Sequence, residues 1–319
     1  VAGEKPYHIV TPAMHKSKED IDALFHEKFK TPQNSSPEEL TLFVRKLLRE
    51  KFVNANIGIT GANFLVADSG SVVVTENEGN AIMSTAFPGV HIAIAGIEKV
   101  IPAFEQLGIM LPLLAMHGTG QQISAYNTIF SGAKQTNETS GPQSMYVILL
   151  DNGRSDLLAR PLQSEALKCI RCGACLNACP VYRNIGGYTY STTYSGPIGS
   201  VISPHFEGFK NFGHLSFASS LCGKCNEVCP VKIDLRKLLL FNRKHHVVKK
   251  KRGWAEKCIL FGYQKIMLNR RLFDIGSQKI RNFAVQTFGK EVWGPRRDLP
   301  VVKKSFAKLY RKLKKTKNL

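Results

Sequence analysis

Seven cysteines in two short runs constrain this chain more than any other feature. The first run, CIRCGACLNACP, sets Cys169, Cys172, Cys175 and Cys179 ahead of Pro180. This is C-x2-C-x2-C-x3-C-P, the spacing of a bacterial ferredoxin. A cubane is compact, so three thiolates two residues apart can wrap three of its corners within one turn of loop. The fourth cysteine opens a helical turn that points away from that cube, and it therefore ligates a second one. Gly173 lets the loop bend close to inorganic sulfide. Pro180 lacks an N–H and redirects the chain after the last ligand.

The second run, SLCGKCNEVCPV, repeats the pattern at Cys222, Cys225, Cys229 and Pro230, but Ser219 stands where the first cysteine belongs. Reciprocal ligation gives cluster 1 the set Cys169, Cys172, Cys175 and Cys229. Cluster 2 takes Cys179, Cys222 and Cys225. Its fourth position has three readings. Ser219 ligates through oxygen, Cys258 reaches in from the tail, or the site holds a three-iron cluster or a four-iron cluster with an open corner. A zinc ribbon needs only four thiolates in two pairs and has no use for seven at this spacing. Taken alone, Cys258 sits in an apolar stretch and reads as a small buried hydrophobe.

The chain has 319 residues, 43% of them apolar, enough to bury a sizeable core. No apolar run approaches the roughly 18 residues that a membrane-spanning helix needs. The first 30 residues are polar and of mixed charge, without the apolar core of a leader. The expectation is a cytoplasmic protein, in which clustered thiols serve metal rather than disulfides. The formal charge of +20 is uneven. From Arg243 to Leu319 there are 23 Lys and Arg against four acids, a net +19. A near-neutral body thus carries a basic tail, suited to an acidic partner, an anionic membrane surface or nucleic acid. Partner docking is the favoured reading, because an electron carrier must meet its donor and acceptor.

Residues 1–155 read as an α/β domain. Ser36, Pro37 and Glu39 form a capping box before Leu40, Phe43, Leu47 and Leu48, predicting a helix from Ser36 to Phe52. Strands are predicted at Asn56–Thr60, Phe64–Ala67, Ser71–Thr75, Ala81–Ser84, His91–Ala95 and Tyr146–Leu150. A helix is predicted over Ile97–Leu107. The Gly- and Asn-rich segment 56–81 suits tight turns first and an anion cradle second. Glu76 and Glu78 read as turn carboxylates before acid–base groups. His91, His117, His205, His214, His245 and His246 have no metal-ligand spacing. Residues 160–245 form the cysteine region, with a helix from Asp234 to Arg243. Residues 246–319 form basic helices, the last over Val301–Lys315 with Val302, Phe306, Leu309 and Leu313 on one stripe.

The runs GITGANF…VVVTENEGNA, CIRCGACLNACPVYRNIGGYTY…YSGPIG and SSLCGKCNEVCPVKI resemble lactate utilisation protein B, the iron–sulfur subunit of a bacterial system oxidising L-lactate to pyruvate. The resemblance implies a lactate-utilisation domain of the sugar-isomerase and CoA-transferase-like α/β fold, followed by an α-helical ferredoxin. It implies two [4Fe–4S] clusters. It also implies two partner subunits, one cysteine-rich and similar to heterodisulfide reductase, the other with a related α/β domain. The electron acceptor is left open, and the basic tail allows a peripheral place at the inner membrane face. Family members carry a longer N-terminal segment, so the α/β domain is expected to be incomplete. No flavin or nicotinamide fingerprint is present, so the expected role is a subunit of an oxidoreductase rather than a complete enzyme.

Overall fold

The computed structural model describes residues 1–8, 10–249, 254–274, 278–293 and 301–317. These fall into two compact units, Val1–Lys249 and Lys250–Leu319.

The first unit begins with two capped helices, α1 (Lys18–Phe29) and α2 (Pro37–Val53). Each has a reciprocal capping box, Ser17 with Asp20 and Ser36 with Glu39, which satisfies two otherwise orphaned N–H groups at the helix start. The α2 prediction holds to within a residue. Seven strands follow: β1 (Ile57–Gly61), β2 (Phe64–Val66), β3 (Ser71–Glu76), β4 (Val90–Gly96), β5 (Val100–Ile101), β6 (Tyr126–Phe130) and β7 (Ser144–Leu150). They form a parallel sheet in the order β1-β4-β7 and a mixed sheet in the order β5-β2-β3-β6. The register pairs Ile59 with Ile92 and Ile92 with Tyr146. One face of the parallel sheet, with Ala93 and Ala95, packs against Leu65, Val72 and Val74 of the mixed sheet. The other face carries Ile57, Ile59, Ile94, Tyr146, Ile148 and Leu150, all exposed.

Two elements differ from expectation. Ala81–Ser84 lies in a helix, α3 (Asn80–Ala86), not a strand. The Glu76 carboxylate accepts from the Ala81 and Ile82 N–H groups at 2.7 and 2.9 Å, capping a run too short for periodicity to distinguish. Ile97–Leu107 is not one helix. It holds two 3₁₀ turns around β5, and the long helix α4 (Leu107–Thr119) begins only where that prediction ended. Pro102 explains this, because it disfavours helical backbone at the residue before it and supplies no N–H.

From Arg154 onward the unit is helical: α5 (Arg154–Leu158), α6 (Ala174–Ala178), α7 (Pro180–Ile185), α8 (Gly196–Phe206), α9 (Phe209–Phe212), α10 (Lys224–Glu227) and α11 (Leu235–Lys249). Leu176, Val201, Ile202, Leu235, Leu238 and Leu239 form its core, and Cys225 and Cys229 belong to that core. A second core joins this region to the α/β part: Phe64, Val66, Val73, Ile101 and Leu107 pack with Ile170 and Cys172.

The second unit holds α12 (Trp254–Leu268), α13 (Arg270–Asp274), α14 (Gln278–Trp293) and α15 (Phe306–Lys317). Asn282 on α14 donates to the Val302 carbonyl at 3.0 Å. The last helix starts at Phe306 rather than Val301, with Phe306, Leu309 and Leu313 exposed. No described helix is long and apolar enough to cross a membrane.

Candidate iron–sulfur site and the adjoining cleft

The two cysteine runs fold into the same local shape. In the first, Arg171 and Gly173 adopt positive φ (64° and 80°), and α6 follows. In the second, Leu221 and Gly223 do the same (56° and 82°), and α10 follows. Alternating left-handed residues curl each loop so that its thiols face inward, and the following helical turn brings in the third cysteine. Cys179 caps α7 and accepts from the Tyr182 N–H at 3.5 Å. Cys229 likewise accepts from Ile233 N–H at 3.4 Å.

This equivalence locates Ser219. Cys169 Sγ accepts from the Arg171 N–H at 3.4 Å, and Ser219 Oγ accepts from the Leu221 N–H at 3.2 Å. Ser219 therefore occupies the structural place of the first cysteine. Arg243 fixes its backbone by donating to its carbonyl at 2.7 Å. Cys258 lies exposed on α12, in the second unit.

Two small cavities lie among these residues. One is lined by Cys169, Cys172, Cys175 and Cys229. The other is lined by Cys179, Ser219, Cys222 and Cys225. All eight cysteines of the chain are free thiols. Among the described residues no three His, Cys, Asp or Glu side chains converge on a single ion. Seven cysteines in two cavities exceed the four donors of one tetrahedral zinc ion, so this donor set fits clusters better than zinc. Burial pushes the Cys175 thiol well above its ordinary range, and that of Cys225 to about 11. The Lys224 N–H pulls the exposed Cys222 the other way. A cluster held by Cys175 and Cys225 would have to deprotonate thiols that burial keeps neutral.

Sequence reasoning missed the charged girdle around the first cavity. Glu98, buried in the turn after β4, meets Arg154 Nε at 2.5 Å and Arg171 Nη2 at 3.3 Å. Arg154 also lies over the Phe206 ring, and Arg171 over the Tyr194 ring, at 4.9 and 4.4 Å. Burial and the neighbouring Arg171 push the Lys99 ammonium down to about 8. Three cations and one carboxylate thus lie beside the cysteines, a net positive balance. Only Arg171, inside the cysteine run, lay where sequence could have drawn attention to it.

Beside the girdle opens a cleft of about 570 Å³, lined by Thr60, Asn63, Thr75, Asn77, Arg171 and Cys172 among others. The segment 56–81 provides one wall, so its turns are both ordinary turns and part of this cleft. The end of α4 closes it: a Cβ at Gly118 would lie 3.6 Å from the Cys172 carbonyl oxygen. Glu76 serves as the α3 cap and Glu78 is exposed. Of the histidines, His91 is fully buried behind Thr60, and His205 bonds Asn242 within the helical core.

Comparison with known proteins bears on this arrangement. Residues 6–150 match the LUD domain, and residues 165–233 match a 4Fe–4S dicluster domain. Lactate utilization protein B of Bacillus pumilus is 46% identical over 274 residues, 86% of this chain and 56% of that protein. The Anoxybacillus flavithermus protein of the same name is 42% identical over 89% of this chain and 60% of its own length. That of Bacillus subtilis is 42% identical over 86% of this chain and 57% of its own. The chain is thus similar to lactate utilization protein B over most of its own length. It spans a little under two thirds of the length of these relatives. No solved structure matches it. The α/β part is thus a LUD domain and the helical part a 4Fe–4S ferredoxin domain.

Proposed function

We propose that this chain is the electron-transfer subunit of a complex that oxidises L-lactate to pyruvate. Cys169, Cys172, Cys175 and Cys229 hold one [4Fe–4S] cluster. Cys179, Cys222 and Cys225 hold a second, with Ser219 at its fourth corner. The observation that carries this reading is the pair of cavities, each lined by a set that reciprocal ligation requires. Bound clusters supply one-electron transfer, so the two electrons of lactate pass singly. The chain's own residues position and tune. Arg171, Arg154 and Lys99 offset thiolate charge, and the buried Leu176 and Ile198 exclude water from the first cavity. The domains divide as 1–155, 160–245 and 246–319. Two further subunits, one cysteine-rich and one with a second LUD domain, complete the complex in the cytoplasm. The basic tail docks a partner or rests at the inner membrane face. A second reading, a free-standing oxidoreductase acting on a small anion, draws support from the cleft beside Cys172.

Iron and acid-labile sulfide per chain, measured anaerobically with EPR before and after reduction, test the assignment. About eight irons, four to each cube, are expected. Little iron with stoichiometric zinc would sink it. Reduction of the clusters by L-lactate only when partner subunits are added would separate the first reading from the second.

A further inference from the structure

The cleft holds more chemistry than electron transfer requires. Asn63 Oδ1 accepts from the Thr75 N–H at 3.0 Å, and Asn77 Oδ1 accepts from the Ala125 N–H at 2.9 Å. A backbone N–H can only donate, so these bonds fix both amides with oxygen toward the chain. Both Nδ2 groups, on residues that line the cleft, are left to donate elsewhere. Thr60, on the same wall, shares a 2.8 Å hydrogen bond with the buried His91 ring. Arg171 lines both the cleft and the first cysteine cavity, and its Nη1 is buried without a partner. The guanidinium charge thus borders the cleft, while the buried Nη1 faces away from its open space. Of the two carboxylates on the wall, Glu76 is spent on the α3 N-terminus and Glu78 accepts from the Asn77 N–H at 3.2 Å.

We propose that this cleft binds a small 2-hydroxycarboxylate, its oxygens accepting from Asn63 and Asn77 beside the Arg171 charge, directly against the Cys172 loop. The proposal rests on the lactate reading only for the choice of ligand. It places that ligand on this chain rather than wholly on a partner. Two amide donors and the Arg171 charge on the wall suit a carboxylate. The volume is ample for a three-carbon acid. Nearness to Cys172 puts the ligand beside the first cluster and distant in sequence from the second.

The test uses the full chain loaded with its clusters and L-[2-²H]lactate as probe. Pulsed EPR of the reduced protein should show deuterium modulation from lactate near the first cluster. Calorimetric titration should show saturable binding that L-lactamide, lacking the charge, matches poorly. Asn77→Asp and Asn63→Asp keep the oxygen that the backbone N–H needs but replace a donor with a negative charge. Each should weaken lactate binding by about tenfold or more, the cost of losing a charge-assisted hydrogen bond. Iron content should be unchanged. Glu227→Gln, exposed on α10, should leave binding as it is. Absence of modulation at saturating lactate, or equal binding in both asparagine variants, overturns the proposal. Neither result touches the electron-transfer reading, which fails instead if the assembled complex leaves the clusters oxidised in lactate.

Discussion

At the scale of single residues, Ser219 is the informative departure from pattern. Spacing alone marked it as a missing cysteine but left three fates open. The fold adds that its Oγ sits in the hydrogen-bonding place of Cys169 Sγ, on a residue that lines the second cavity. Ser219→Cys should therefore bring a thiolate to the fourth corner without moving the loop. Iron should stay at about eight per chain, while the EPR spectrum of the second cluster shifts as sulfur replaces oxygen at that corner. If the spectra are identical in the two proteins, Ser219 does not face the cluster. The cysteines were legible because ligand spacing is local. Glu98 was not, because its partners Arg154 and Arg171 are 56 and 73 residues away. Nothing in a linear pattern distinguishes it from a solvated turn acid.

At the scale of elements, the parts that were legible carried caps or alternation. Helix α2 declared itself by Ser36, Pro37 and Glu39. The strands β1, β3, β4 and β7 declared themselves by Val and Ile between Gly, Asn and Asp. Helix α4 did not, because Leu107–Met116 is apolar on every side and shows no period. The junction between α/β and ferredoxin parts depends on one glycine. A Cβ at Gly96 would lie 2.1 Å from Glu98 Oε2 and 2.6 Å from Arg154 Nε. Gly96→Ala must push this buried ion pair apart, with an expected loss of about 1–3 kcal/mol in urea unfolding. An unchanged midpoint would show that the girdle adapts freely. His91 ties β1 to β4 through Thr60, and burial holds its imidazole below the usual range. The unfolded chain takes up this proton near pH 6.5 while the folded chain resists it to lower pH. Stability should then fall as pH drops through that window, with a slope approaching about 1.4 kcal/mol per unit for the one group. Replacing the ring by an uncharged amide, His91→Gln, should flatten that part of the profile. A profile of the same slope would assign the loss to other groups.

At the scale of the whole molecule, the parallel sheet raises a question that neither the cysteines nor the cleft answers. Parallel sheets are as a rule covered on both faces. Here one face packs on the mixed sheet, while Ile59 and Tyr146 on the other are 62% and 58% exposed. Register places Ile57, Ile59, Ile94, Tyr146, Ile148 and Leu150 on that single face. Alternation along β1 and β7 could not announce this, because a strand covered on both faces and one with a bare apolar face have the same Ile- and Val-rich sequence. Contiguous apolar surface of this kind marks a place of contact or a liability to aggregate. The chain on its own should therefore bind the dye ANS strongly while its far- and near-ultraviolet circular dichroism remain native. That combination separates a bare folded face from a loosely packed state, which loses the near-ultraviolet signal. Ile59→Thr together with Tyr146→Thr should reduce the dye fluorescence severalfold and cost little stability, since both side chains are already in water. Undiminished fluorescence would move the site to the exposed apolar residues of the basic helices, of which Phe306 on α15 is 70% exposed.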